Sequence, residues 1–194
     1  MAKHFKLTNE TKVNAFGVTL FRIECTIDCK WAKVGDKGGW IEKETNLDGD
    51  AWVCGDAKVY GDAWVCGNAK VCGNAEVCGD AKVYGNAKVY GDAKVYGDAW
   101  VCGNAEVCGN AEVCGDAKVC GNADYCCFQS FGSRYGSMTV FREKSGVVRV
   151  RCGCFDGTLA EFDAKVQKTH GDNEYGKVYK TIIDVIKLRF NISE

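Results

Sequence analysis

The sequence lacks the features that would mark several large functional classes. Its 194 residues include no proline and only two histidines, and 25 Lys+Arg nearly balance 26 Asp+Glu. No apolar run approaches the roughly eighteen residues of a membrane span, so we expect no transmembrane segment. A general nucleic-acid coat would need a basic surplus, which makes a nucleic-acid partner an unfavoured interpretation.

Recognisable leader and catalytic motifs are missing as well. The first residues have no apolar core of the kind found in secretory signals, which favours a cytoplasmic protein. In that compartment the fourteen cysteines are expected to be mostly reduced thiols that act as small hydrophobic residues. No Gly-x-Ser-x-Gly elbow, Walker loop or dinucleotide fingerprint occurs. We expect no cofactor.

A six-residue repeat dominates the middle of the chain. From Gly49 to Gly121 a glycine occupies every sixth position, in units of Gly-[Asp/Asn]-Ala-x-Val-[Cys/Tyr] in which the last unit has Tyr125 in place of valine. Alanine and valine point to one side of a strand and the variable and sixth residues to the other. Gly-Asp and Gly-Asn suit corners between strands. Because one short strand cannot bury its apolar side alone, the repeat predicts a β-solenoid.

This repeat resembles the hexapeptide-repeat family of left-handed parallel β-helices. The resemblance implies three units per 18-residue coil and about four coils over residues 49–126. Residues 35–42, 152–162 and 169–175 are similar to segments that accompany such repeats in proteins of bacteria and their phages, which implies a phage or prophage setting. The fold class that we expect is therefore mainly β, with a solenoid between two flanking units.

The flanks have different patterns. Residues 1–48 read as strands and turns and are expected to cap the solenoid as an N-terminal β unit. Residues 127–194 predict a C-terminal ββαα unit, with a hairpin of 139–142 and 147–151. Thr158 and Glu161 form a capping-box pattern that opens a first helix, and apolar residues at helical spacing over 178–190 predict a second.

Outward side chains eighteen residues apart are expected to stack in columns on three faces. The first face carries Lys58, Glu76, Lys94 and Glu112 beside Tyr60, Cys78, Tyr96 and Cys114. The second face carries Trp64, Lys82, Trp100 and Lys118 beside Cys66, Tyr84, Cys102 and Cys120. The third face carries Trp52, Lys70, Lys88, Glu106 and Asp124 beside Cys54, Cys72, Tyr90, Cys108 and Cys126.

The second face is the most apolar of the three. Its indoles indicate a subunit contact, a partner site or the place where a terminal segment folds back; a plain exposed wall is the alternative. The residues that we predict to bind a partner are Trp52, Trp64, Trp100, Lys82, Lys118, Tyr84, Tyr60 and Tyr96.

One corner of the solenoid is acidic throughout. Its column is Asp62, Asp80, Asp98 and Asp116. Stacked carboxylates raise one another's pKa, and such a ridge suits a divalent cation or a basic partner. The alternative is a solvated corner at which Asp and Asn are interchangeable.

The cysteines permit two further interpretations. Three stacked pairs are expected within disulfide reach: Cys54/Cys72, Cys102/Cys120 and Cys108/Cys126. A four-cysteine metal site would form from Cys25, Cys29, Cys152 and Cys154 only if the ends of the chain met.

Three functional hypotheses follow. The preferred one is a non-enzymatic scaffold that forms a dimer or trimer and binds a protein partner, with a host defence factor as one candidate. The second is a small-ligand or nucleotide sponge at subunit interfaces, with Lys82, Trp100 and Lys118 as its walls. The third is a hexapeptide acyltransferase, which needs a histidine base. His4 and His170 both lie outside the repeats, and His170 is expected to cap a helix instead.

Overall fold

The computed structural model describes residues 3–132 and 134–192 and is mainly β. Strands β1 (Phe5–Val13), β2 (Thr19–Cys25) and β3 (Lys37–Ile41) come first. Twelve two-residue strands follow, β4 to β15: Trp52–Val53, Lys58–Val59, Trp64–Val65, Lys70–Val71, Glu76–Val77, Lys82–Val83, Lys88–Val89, Lys94–Val95, Trp100–Val101, Glu106–Val107, Glu112–Val113 and Lys118–Val119.

Each short strand from β4 to β12 pairs in parallel with the strand eighteen residues further along the chain. Lys58 lies opposite Glu76 and Trp64 opposite Lys82, and the same register runs through all three stacks. The first face consists of β5, β8, β11 and β14, the second of β6, β9, β12 and β15, and the third of β4, β7, β10 and β13. The chain is therefore a parallel β-solenoid of about four turns, and the predicted circumference is confirmed.

The interior consists of the alanines and valines of the repeat, which are fully buried from Val53 to Val119. From Gly49 to Gly115 the corner glycines adopt positive φ, for example +75° at Gly85. A Cβ added there would lie 3.1 Å from the backbone nitrogen of Gly103 in the next turn. Glycine is thus required both by the backbone angle and by the close approach of successive turns.

The N-terminal cap continues the solenoid stack although its sequence has lost the repeat. Strand β3 pairs in parallel with β5, which places Ile41 over Val59, and Leu47 lies over Val65. These two side chains take the inward position that valine holds in the repeat. The sheet of the first face continues into the cap from β5 through β3 and β2 to β1, so it has seven strands.

Beyond the solenoid, four antiparallel strands pair in sequence order, β16 (Tyr125–Phe131), β17 (Gly136–Arg142), β18 (Val148–Cys152) and β19 (Phe155–Thr158). Helices α1 (Leu159–His170) and α2 (Glu174–Phe190) follow. The predicted hairpin is β17–β18, and the capping box of α1 is present. The unit has two strands more than the ββαα pattern predicted. Of the described helices, neither has the length and apolar character that crossing a membrane requires.

The last repeat unit leaves the solenoid, which corrects the predicted third-face column. The Tyr125 ring, too large for a valine position, closes the end of the solenoid, and its hydroxyl donates to the Glu106 carbonyl at 2.6 Å. Asp124 turns back to accept the Cys120 amide at 2.9 Å. Asp124 and Cys126 therefore do not extend the third face. Cys108 lies 3.8 Å from the Tyr125 hydroxyl instead of forming the predicted pair with Cys126.

Candidate functional site

The second face presents alternating indole and ammonium groups, as its sequence column predicts. Lys82 lies between Trp64 and Trp100 in the strand register, and Lys118 follows Trp100. The Lys82 Nζ lies 5.6 Å from the centroid of the Trp100 ring, which is a cation–π contact. Trp64 is 39% exposed, and both lysines are exposed. This arrangement is a flat wall with aromatic and cationic groups accessible to a partner.

The neighbouring column of the second face contains Tyr84 and three cysteines. Cys102 and Cys120, one turn apart, are joined in a disulfide. The other described cysteines are free thiols. Burial raises the pKa of the Cys66 thiol to about 11, so this cysteine behaves as an apolar side chain. Tyr84 is half-buried in the same column, between Cys66 in the turn before it and Cys102 in the turn after it.

The turn between β17 and β18 folds back onto one end of the second face. Lys144 places its Nζ 4.3 Å from the Trp100 ring centroid and donates to the carbonyl of Asp98 at 3.0 Å. A terminal segment therefore covers part of this wall, one of the alternatives that the sequence left open. Trp64, Lys82 and Lys118 stay outside that contact.

Three predicted binding residues are covered in whole or in part by the flanking units, so Trp52 and Tyr60 offer little surface to a partner. Trp52 is 2% exposed and lies against the His4 ring at 5.9 Å between centroids. Tyr60 is 8% exposed under the β1–β2 hairpin. Tyr96 is half-buried, with the Arg151 guanidinium 5.3 Å from its ring centroid. The two flanking units hide these side chains because they pack on the ends of the first and third faces.

The acidic corner is partly neutralised by its neighbours. Lys43 contacts Asp62 at 2.7 Å and lowers the pKa of that carboxyl through a hydrogen bond, so the expected rise is wrong at this position. Lys144 approaches Asp116 at 3.8 Å. Asp80 and Asp98 are exposed and form no ion pair with any described residue. Over residues 3–132 and 134–192, no group of three His, Cys, Asp or Glu is arranged to hold a metal ion.

The proposed four-cysteine site does not form in the described chain. Cys25 belongs to the apolar cluster of the cap and solenoid, whereas Cys152 packs on the cluster of the C-terminal unit. The solenoid separates the two pairs. His170 ends α1, where its ring stacks on Tyr179 with 5.4 Å between centroids, and Gly171 is the C-cap residue.

Two stacked thiols on the third face interact directly. Cys54 and Cys72 follow the paired strands β4 and β7, one turn apart. A hydrogen bond from the Cys54 thiol lowers the pKa of Cys72 to about 6, while the same interaction raises the pKa of Cys54. The pair therefore loses its first proton more readily, and its second less readily, than an isolated cysteine loses its proton.

A cavity in the C-terminal unit was not predicted. It has a volume of about 380 Å³, and its lining is shared by the sheet and both helices. It brings together Cys152, Cys154 and Phe155 from one end of the sheet with Thr169 and His170 from α1. Both stretches belong to the segments that carried the resemblance of the tail, and that likeness was the only signal in the sequence. No local periodicity joins residues so far apart in the chain.

Comparison with known proteins adds no functional assignment. The scan against family models matches none of them, and the search of curated proteins returns no match.

Proposed function

We propose that this protein is a non-catalytic β-solenoid scaffold that binds a protein partner through the second face. The observation that carries the proposal is the accessibility of Trp64, Lys82 and Lys118 on the wall that the flanking units cover least. Tyr60 on the first face and Trp52 on the third face are both buried under the cap. Tryptophan is a frequent anchor of protein interfaces, and a rigid sheet loses little conformational freedom on binding.

The dimensions of this face constrain the partner. Four strands about 4.8 Å apart and four residues of about 3.3 Å each give a wall of about 250 Å². A standard interface buries about 800 Å² on each partner. A partner must therefore also contact the adjoining corners, where Asp80 and Asp98 are exposed and unpaired among the described residues. The chemistry that fits is an apolar or aromatic side chain over Trp64 flanked by basic groups that face the aspartates.

Self-association into a dimer or trimer is part of the same proposal. A second copy supplies both tryptophan and lysine, and closed symmetric oligomers are the commonest assemblies of soluble proteins. The single wall is too small for a stable homodimer by itself, so self-association would need the C-terminal unit as well.

The biological setting that we infer rests on the resemblance of the repeat and its flanks. It is a phage- or prophage-encoded protein of the hexapeptide-repeat type that acts in the host cytoplasm, with a host factor such as a defence component as its partner. Acyl transfer is disfavoured because its histidine base would have to lie in the repeats, whereas His4 and His170 both lie in the flanking units.

The test compares Trp64→Ala with Tyr135→Ala. Tyr135 is 80% exposed and lies outside the solenoid, so Tyr135→Ala is a matched control that removes an exposed aromatic ring elsewhere. We expect Trp64→Ala to raise the dissociation constant of the protein for its partner by about ten-fold or more. If the partner is a second copy of this chain, light scattering should show the same loss as a shift from dimer to monomer. Circular dichroism should stay unchanged. Equal binding by the two variants would remove the second face from the proposal.

A further inference from the structure

The cavity of the C-terminal unit has the dimensions and position of a ligand site. Its volume of about 380 Å³ lies in the range of about 300–1,000 Å³ that is typical of small-molecule pockets. Sheet residues from β16 to β19 form one side, and α1 and α2 form the other. This site is separate from the second face of the solenoid and does not depend on the function proposed for that face.

One wall of the cavity is a cluster of aromatic rings around Tyr179. The centroid of the Phe131 ring lies 5.3 Å from that of Tyr179, and Phe162 lies 5.8 Å away, both in edge-on contact. His170 stacks nearly parallel to Tyr179, with 21° between the ring planes. Because edge-on rings fix one another's orientation, this wall is a rigid surface suited to a flat aromatic ligand.

The polar side of the cavity is cationic. Among the described residues that line it, Glu112 is the only acidic one, and Arg151 pairs with it at 2.7 Å. Arg134 and Lys165 also line the cavity; both are exposed, and neither forms an ion pair within the described chain. Two unpaired cations at the opening of an apolar pocket attract an anionic group.

We propose that this cavity binds a planar aromatic compound that carries an anionic group. The ring lies against the Tyr179 cluster, and the carboxylate or phosphate lies between Arg134 and Lys165. Aromatic carboxylates and nucleoside monophosphates share this chemistry, so both are included in the test.

The experiment measures binding of anilinonaphthalene sulfonate by its fluorescence, and its displacement by indole-3-acetate and by AMP. We expect saturable binding by the wild-type protein and displacement by at least one competitor, which identifies the anion. Arg134→Glu with Lys165→Glu should weaken binding by about ten-fold or more, since it reverses both charges at the opening.

A matched control separates local from general charge effects. Lys168 of α1 and Lys177 of α2 are exposed on the two helices that form one side of the cavity, but neither lysine lines it. Lys168→Glu with Lys177→Glu changes net charge equally and should leave the affinity within about two-fold. Equal losses in both double variants, or no saturable binding by the wild-type protein, would overturn the proposal.

A second pair of variants tests the cavity by its shape. Thr169 lines the cavity at an exposed position in the last turn of α1, so Thr169→Trp fills it without burying a new side chain in the core. We expect this variant to abolish binding. Gln167→Trp, on the same helix outside the cavity, should bind normally, as should Trp64→Ala. Binding that survives Thr169→Trp would place the probe elsewhere and contradict the assignment.

Discussion

At the scale of single residues, a side chain is excluded from the corner position for two reasons, the positive φ angle and the close approach of the next turn. Three glycines allow the two effects to be measured separately. Gly85 has positive φ and a close neighbour, Gly115 has positive φ of 59° and open space, and Gly121 has φ of −158° and open space. Left-handed strain costs an ordinary residue about 1–2 kcal/mol. We expect Gly121→Ala to leave the free energy of unfolding nearly unchanged. Gly115→Ala should lower it by about 1–2 kcal/mol, and Gly85→Ala should lower it further. Urea denaturation measures all three.

The difference in free energy of unfolding between Gly85→Ala and Gly115→Ala measures the contact with the next turn. The backbone of Gly103, which a new Cβ at position 85 would meet, cannot move aside without shifting the adjoining strand. Equal free energies of unfolding for these two variants would show that the close approach contributes nothing. A large effect of Gly121→Ala would contradict the conformational argument itself.

Cysteine chemistry on the third face gives a second prediction for single residues. The thiolate is the nucleophile, and the pKa of Cys72 is lowered to about 6 whereas that of Cys66 is raised to about 11. At pH 7 we therefore expect iodoacetamide to modify Cys72 at least about ten-fold faster than Cys66. The rate at Cys72 should fall as the pH drops below its pKa. Peptide mass spectrometry measures both sites in one sample.

The variant Cys54→Ala removes the hydrogen bond that stabilises the Cys72 thiolate, so it should raise the pKa of Cys72 and slow its modification at pH 7. An unchanged rate in Cys54→Ala would show that the stacked thiol has no influence.

At the scale of elements, the N-terminal cap depends on one buried amide. Asn46 is fully buried, and its Nδ2 donates to the carbonyls of Gly61 at 3.0 Å and Ala63 at 2.8 Å. Its Oδ1 accepts the Lys43 amide. An unpaired buried polar group costs about 1–3 kcal/mol, so we expect Asn46→Ala to lower the free energy of unfolding by about that amount or more. The control Asn68→Ala, at an exposed corner, should be within about 0.5 kcal/mol of wild type.

The same elements show how far the sequence determines the fold. The strict six-residue period predicts the register, because every inward valine from Val53 to Val101 is followed by another eighteen positions later. Ile41 and Leu47 occupy the same inward positions, but their units begin with lysine instead of glycine, so the extension of the solenoid into the cap has no visible repeat.

At the other end, the spacing of the last unit continues through Cys126 while the chain has already turned into β16. Tyr125 at the valine position was the signal for that departure. The cavity could not be predicted, because Phe131 and Tyr179 are brought together only by packing of the sheet on α2.

At the scale of the whole molecule, the C-terminal unit covers the open end of the solenoid. The Thr139 hydroxyl accepts the Glu112 amide at 3.0 Å, Glu143 pairs with Ala117, and Arg189 donates to the carbonyl of Asn122 at 2.7 Å. These contacts bind backbone groups that would otherwise form an exposed strand edge, the feature through which sheets aggregate. The unit therefore stabilises the last turn directly and reaches the turn before it through Arg151 at Tyr96 and Lys144 at Asp98. It supports the first two turns only through these later ones.

That chain of dependence predicts a gradient of stability along the solenoid. In solenoids each turn contacts only its neighbours, so Thr139→Val should lower amide protection at the last turn, around Glu112 and Lys118, by about 1–3 kcal/mol. Protection around Lys58 in the first turn should change far less. Hydrogen exchange with mass spectrometry measures both regions, and Thr181→Val, on the exposed side of α2, is the matched control. An equal loss at both ends would mean that the four turns unfold as one cooperative unit, with the C-terminal sheet supporting the whole solenoid.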